Sequence, residues 1–280
     1  MSTMSSKMRG LVPALGVGAL GVTVALLIAT GAFTGRHATA SVQQSKLSDA
    51  ASSATPGSFT TAYAKLASLS AGMYTGRFAD ALGTPVFVRV AADTKATEKT
   101  YVGPGYAVQT VEDTAGTVQI MAVTACNAAF NPTFPSPMGD VTLGKTTMGG
   151  LKQANAAQPP STPLYHISLA TANTTLYDEY YLGNPGNYVT YLVGLDDACK
   201  FTADVSGLVK ALGIPSVENI TRQDLTNPAV QSFRQGAVIN TFAETAPQVT
   251  PATALDGFQP GVDRILLRTL PASVKPQTSP

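Results

Sequence analysis

Hydrophobic and polar positions along the chain follow three kinds of pattern. The first is continuous. Residues 11–33 run from Leu11 to Phe33 without a charged side chain, with Lys7 and Arg9 before them and Arg36 after. A helix of that length spans a hydrocarbon core of roughly 30 Å, and positive flanks stay on the cytoplasmic side. The pattern predicts a cytoplasmic N-terminus over residues 1–10 and a transmembrane signal anchor over 11–33. Ala38-Thr39-Ala40 also fits a small-x-small cleavage site, so a signal peptide cut after Ala40 is the alternative reading. Either way the rest of the chain is exported. Gly16-Val17-Gly18-Ala19-Leu20-Gly21 matches a dinucleotide fingerprint, but it lies inside the apolar run rather than between a strand and a helix.

Residues 34–57 are small and polar and predict a flexible linker. The period then becomes helical. Phe59, Tyr63, Leu66, Leu69 and Met73 recur at three- and four-residue intervals, predicting a helix to about Gly72, with a second short helix over 77–82. β-Branched, alternating stretches follow. They predict strands over 85–90, 106–111 and 117–123, and again over 164–170, 176–182 and 188–195, the last two forming a hairpin around Gly183-Asn184-Pro185-Gly186-Asn187. Between the two sets, residues 127–163 form a long Pro- and Gly-rich excursion.

The C-terminal third returns to helical spacing. A short helix is expected over 203–212. Asn227-Pro228 is a strong helix start, and Val230, Phe233, Ala237, Val238 and Phe242 continue one apolar face to about Glu244. A final short helix is expected over 262–270, and 271–280 reads as a disordered tail. A helix, a run of strands and then helices predict an α+β domain over 58–270: a largely antiparallel sheet with helices packed on one face.

Two cysteines, Cys126 and Cys199, change the picture by one bond. In an exported chain they predict a single disulfide. Charge changes it by exclusion. After Ala40 there are 15 Lys and Arg against 17 Asp and Glu, with no basic cluster, so nucleic acid is not an expected partner. The expected partners are the membrane, through the N-terminal helix, and other envelope proteins.

Catalytic signatures are absent from the linear sequence. No serine sits in G-x-S-x-G, and no lysine has a serine three positions before it. After residue 40 the only histidine is His166, too few for a zinc site, and no cofactor, metal-ligating or catalytic residue is assigned. The adjacent acids Asp178-Glu179 and Asp196-Asp197 are the remaining acid–base candidates. Asp178 and Glu179, if in a strand, point to opposite faces. Tyr177, Tyr180, Tyr181, Tyr188 and Tyr191 cluster in the one hairpin and form the candidate binding surface, since tyrosines offer rigid contact area with a polar end.

These features point to a membrane-anchored extracytoplasmic protein, a non-enzymatic accessory, binding or structural component of the cell envelope. The second reading is an exported small-molecule or lipid binder, with its cavity between sheet and helices. The third is a secreted hydrolase that uses carboxylates.

Overall fold

The computed structural model describes residues 43–44, 59–151, 164–169, 174–199, 203, 205–213, 219–222 and 227–276. All of them belong to one unit, Arg36–Pro280. The Leu11–Phe33 run, most of the predicted linker, the last twelve residues of the 127–163 excursion and the last four residues of the chain lie outside the described residues. Among the described residues no helix is long and apolar enough to cross a membrane.

A ten-stranded sheet forms the centre, and every pairing in it is antiparallel. Its strands are β1 (Gln43–Gln44), β2 (Phe87–Val90), β3 (Thr97–Gly103), β4 (Tyr106–Glu112), β5 (Val118–Ala125), β8 (Leu164–Leu169), β9 (Thr174–Asn184), β10 (Asn187–Asp196), β11 (Asn219–Arg222) and β12 (Thr241–Thr245). A separate pair, β6 (Thr133–Phe134) and β7 (Val141–Thr142), stands outside it. The spatial order is β1-β2-β3-β4-β5-β12-β10-β9-β8-β11, so β12 joins two meanders from late in the chain. Thr124 and Thr241 hydroxyls meet at 3.0 Å across the β5–β12 seam. Every residue of β4, and all but one of β5, is buried, because both sheet faces are covered.

Among the described residues six helices cover the sheet: α1 (Phe59–Ala67), α2 (Thr75–Leu82), α3 (Ser206–Ala211), α4 (Pro228–Gly236), α5 (Pro251–Leu255) and α6 (Arg264–Thr269). The expectation of helices on one face is corrected here. On the front face Phe59, Leu66, Phe78, Leu208 and Val230, from α1 to α4, pack with Val108, Met121, Val123, Val193 and Phe242. On the back face Ala254 and Leu255 of α5 pack with Val111, Ile120, Ala122, Leu192 and Ala243, and Leu267 of α6 packs with Phe87 and Ala107. Residues 121 and 123 of β5 point one way and 120 and 122 the other, so the two groups lie on opposite sides. The coarse class, α+β with a largely antiparallel sheet and one disulfide, matches the sequence reading.

Several elements differ from expectation. The first helix ends at Ala67, where the Ser68 hydroxyl donates to the Lys65 carbonyl at 2.7 Å; Leu69 still packs inward from the following turn. The helix started by Asn227, whose side chain accepts from the Ala229 amide at 2.9 Å, ends at Gly236 rather than near Glu244. Its expected last turn is instead the central strand β12, whose burial on both faces hides the period of two. β3 was not expected, because Glu98 and Thr100 place polar side chains on a buried back face. Residues 127–151 are a folded cover for the front face, seating Phe130, Phe134, Met138, Val141, Leu143 and Met148 in the core.

Cys126 and Cys199 form a disulfide with a Cα–Cα distance of 4.9 Å. They follow the ends of β5 and β10, the two strands that flank β12. The bond therefore clamps the seam between the meanders. Near the other terminus, Val274 and Lys275 amides donate to the Pro271 carbonyl, so the chain continues as an ordered turn beyond α6, into the stretch read as a tail.

Candidate functional site

A half-open cleft of about 380 Å³ lies on the back face between the second meander and α5. Register explains its floor. Along β8, His166 and Ser168 point back while Ile167 points into the front core; opposite them on β9 stand Tyr177 and Thr175. Glu179 follows Tyr177 on the same face, and Leu192 of β10 pairs with Glu179. One wall is α5 and its cap, Thr250, Pro251, Ala252 and Leu255; the other is Gln259 and Pro260.

Local sequence chemistry fixes both walls. The Thr250 side chain accepts from the Thr253 amide and Pro251 takes the first helical position, so α5 starts there. It stops at Asp256, in the left-handed region. The strap 259–262 is then held by buried side chains of the sheet. Gln109 Nε2 donates to the Gln259 carbonyl at 2.8 Å and Gln109 Oε1 accepts from the Gly261 amide at 2.8 Å. Asp196 Oδ2 accepts from the Val262 amide at 2.7 Å. Gly261 has φ +89°, and a Cβ there would stand 2.1 Å from Asp196 Oδ2 and 2.6 Å from the Tyr177 hydroxyl. Only glycine fits. Burial first, then the Asp196 carboxylate, pushes the Tyr177 phenol well above its usual range, so it remains a neutral donor toward the Pro260 carbonyl.

Two polar features mark the cleft. His166 Nε2 and Glu179 Oε2 meet at 2.6 Å, both partly exposed. Ser168 is 6 % exposed, and its hydroxyl oxygen is buried without a hydrogen-bond partner. Leaving such a group unmade costs about 1–3 kcal/mol, so orphaned hydroxyls in native folds call for an explanation. Ser168 and His166 share a strand face but make no hydrogen bond to each other, so the serine lacks the base that a nucleophile needs within reach.

The five hairpin tyrosines are divided by the sheet. Tyr177 lines the cleft. Tyr180 is buried on the front face, where its hydroxyl donates to Asp178 Oδ2 at 3.2 Å, and Tyr191 lies 6.0 Å from Phe242 on that face. Tyr181 and Tyr188 stack at 5.0 Å on the back face, Tyr181 being 48 % exposed. They form no single five-ring surface.

The paired acids also separate. Asp178 is fully buried on the front face and bound by both carboxylate oxygens to Arg234, whereas Glu179 enters the cleft. Asp196 holds the strap; Asp197 pairs with Arg264 at 2.5 Å and accepts from the Thr174 amide at 2.7 Å. Among the described residues Glu179 is the cleft's one carboxylate, so they do not form the facing pair that glycoside hydrolysis requires. Among the described residues no cluster of His, Cys, Asp and Glu could hold a metal ion.

Sequence reasoning placed His166 in a strand and passed over Ser168. The available signal was the pair of polar residues at alternate positions in the otherwise apolar run Leu164–Leu169. Comparison with known proteins assigns no family: no family model, curated protein or solved structure matches this chain.

Proposed function

We propose that the folded unit is a non-enzymatic, exported binding domain whose back-face cleft takes one small, largely apolar ligand. The cleft itself carries this reading. Its walls are Leu192, Leu255, Ala252 and two prolines, with a few convergent polar groups on the floor, the composition typical of small-molecule sites. Its volume lies near the small end of the usual range. The uncharged Leu11–Phe33 run supports a location at the cell envelope, tethered through that segment with the domain outside the cytoplasm, or released if cut after Ala40. The disulfide agrees with an oxidising compartment. The low charge of the chain, 12 % Asp, Glu, Lys and Arg, suits an uncharged ligand better than a steered ionic partner.

The test is equilibrium dialysis of the neutral probe N-phenyl-1-naphthylamine against the full chain in lipid nanodiscs, with empty nanodiscs as the blank. Ala252 is an exposed small residue on the cleft wall, so Ala252→Phe fills the cleft without touching the core. The wild-type chain is expected to bind one probe saturably and the variant to lose that binding. Equal binding by both chains would refute the reading.

A further inference from the structure

We infer that Ser168 selects the ligand: the compound that occupies the cleft carries a neutral hydrogen-bonding group, a hydroxyl, carbonyl or amide, that pairs with the Ser168 Oγ. This inference rests on the cleft being a binding site and names the chemistry of its occupant.

Three observations carry it. First, Ser168 lines the cleft floor, and its hydroxyl is buried with no hydrogen-bond partner. A hydroxyl both donates and accepts, so any of the three groups completes it. Second, among the described residues its cleft neighbours are uncharged and largely apolar. Thr175 stands directly across the strand pair and is itself buried, while Leu192 and Leu255 also line the cleft. An apolar body against those walls and one polar group at the floor describe an amphipathic molecule. Third, among the described residues the titratable side chains that face the cleft are His166, Glu179 and the Tyr177 phenol. His166 and Glu179 pair with each other, so no net positive charge is offered to an anion. A carboxylate or phosphate head is therefore disfavoured, and a neutral head is selected.

The experiment uses three ligands with one ring system: naphthalene, 2-naphthol and 2-naphthoate. Each is dialysed against the full chain in nanodiscs, and binding removed by Ala252→Phe is taken as cleft binding. The expected result is that 2-naphthol binds about 5- to 10-fold tighter than naphthalene, the worth of one hydrogen bond to an otherwise unpaired buried group. The anion 2-naphthoate is expected to bind more weakly than 2-naphthol. Ser168→Ala should abolish the preference for 2-naphthol over naphthalene. The wild-type ranking decides the matter even if that variant does not fold. Cleft binding with naphthalene and 2-naphthol equal, as an internal water on Ser168 would produce, overturns the inference and leaves the binding reading intact. Tighter cleft binding of 2-naphthoate overturns it as well. Absence of cleft binding by all three overturns the binding reading and the inference together.

Discussion

Replacing Arg234 with methionine breaks the most deeply buried ion pair among the described residues. Asp178 lies on the front face of β9 and is 0 % exposed. Arg234, in the last turn of α4, donates through Nη1 to both carboxylate oxygens and through Nη2 to the Met148 carbonyl at 3.2 Å. Methionine keeps much of the stem's volume and removes every charge-assisted bond. The Tyr180 hydroxyl would remain as the one side-chain donor that the structure gives this carboxylate, at 3.2 Å. Stranding one member of such a pair costs about 3–5 kcal/mol. Guanidinium unfolding of the full chain followed by circular dichroism measures it as a lower midpoint at unchanged slope.

The pH dependence gives that prediction a sign. Burial lifts Asp178 above its ordinary value of 3.8, and Arg234 pulls it back. Without Arg234 the lift grows. A carboxyl whose folded value is raised contributes stability below its unfolded value, and that contribution is lost as pH rises through the folded value. The Arg234→Met deficit should therefore be largest above neutral pH and shrink toward pH 4. Asp178→Leu combined with Arg234→Met should lose less than Arg234→Met alone, since a buried pair replaced by apolar residues is often near neutral. A deficit under about 1 kcal/mol at neutral pH, or one that grows on acidification, would refute the reasoning.

Three further outcomes are expected. Cys126→Ser with Cys199→Ser should lower stability by about 4 kcal/mol through loss of the loop closure, while the non-reduced, unfolded wild-type chain should show no titratable thiol. Gly261→Ala should cost about 1–3 kcal/mol from its positive φ, and more through the clash with Asp196, and should weaken N-phenyl-1-naphthylamine binding because the strap is a cleft wall; unchanged binding at a lowered melting temperature would detach the strap from the site. Ser168→Ala without ligand should leave the melting temperature unchanged or raised, because it removes an orphaned hydroxyl; a fall of several degrees would mean that the hydroxyl has a structural partner.

Much of the fold was legible because local chemistry and burial agreed. The Pro85–Val90 run, the Tyr106–Val111 strand and the hairpin around Gly186 carry β-branched residues and turn signals, and Asn227-Pro228 marks a helix start that the structure uses. The pairing of Cys126 with Cys199 needed only a count and a compartment. What stayed hidden depends on neighbours distant in sequence. β12 looks helical because Phe242 continues the α4 spacing, and only insertion between β5 and β10 makes it a strand. β3 looks too polar, until Arg89 and the 259–263 strap arrive to pair with Glu98 and cover its back face. The cleft was the least legible part. It joins residues of β8, β9 and β10 to a five-residue helix and a strap pinned by Gln109 and Asp196, none of which shares a linear motif. The tyrosine count pointed to a hairpin that contributes to the cleft, but alternation across the sheet sends only Tyr177 of the five into it.

Both native cysteines are in the disulfide, so a single introduced thiol reports occupancy of the cleft directly. Ala252→Cys places it on the cleft wall, and Ala67→Cys places a control on exposed α1, across the sheet. Labelling of each full chain by a maleimide is timed with and without saturating 2-naphthol. A ligand seated in the cleft slows labelling at position 252 saturably and leaves position 67 unaffected. Equal labelling rates at position 252 with and without the ligand, or the same slowing at both positions, would contradict the account.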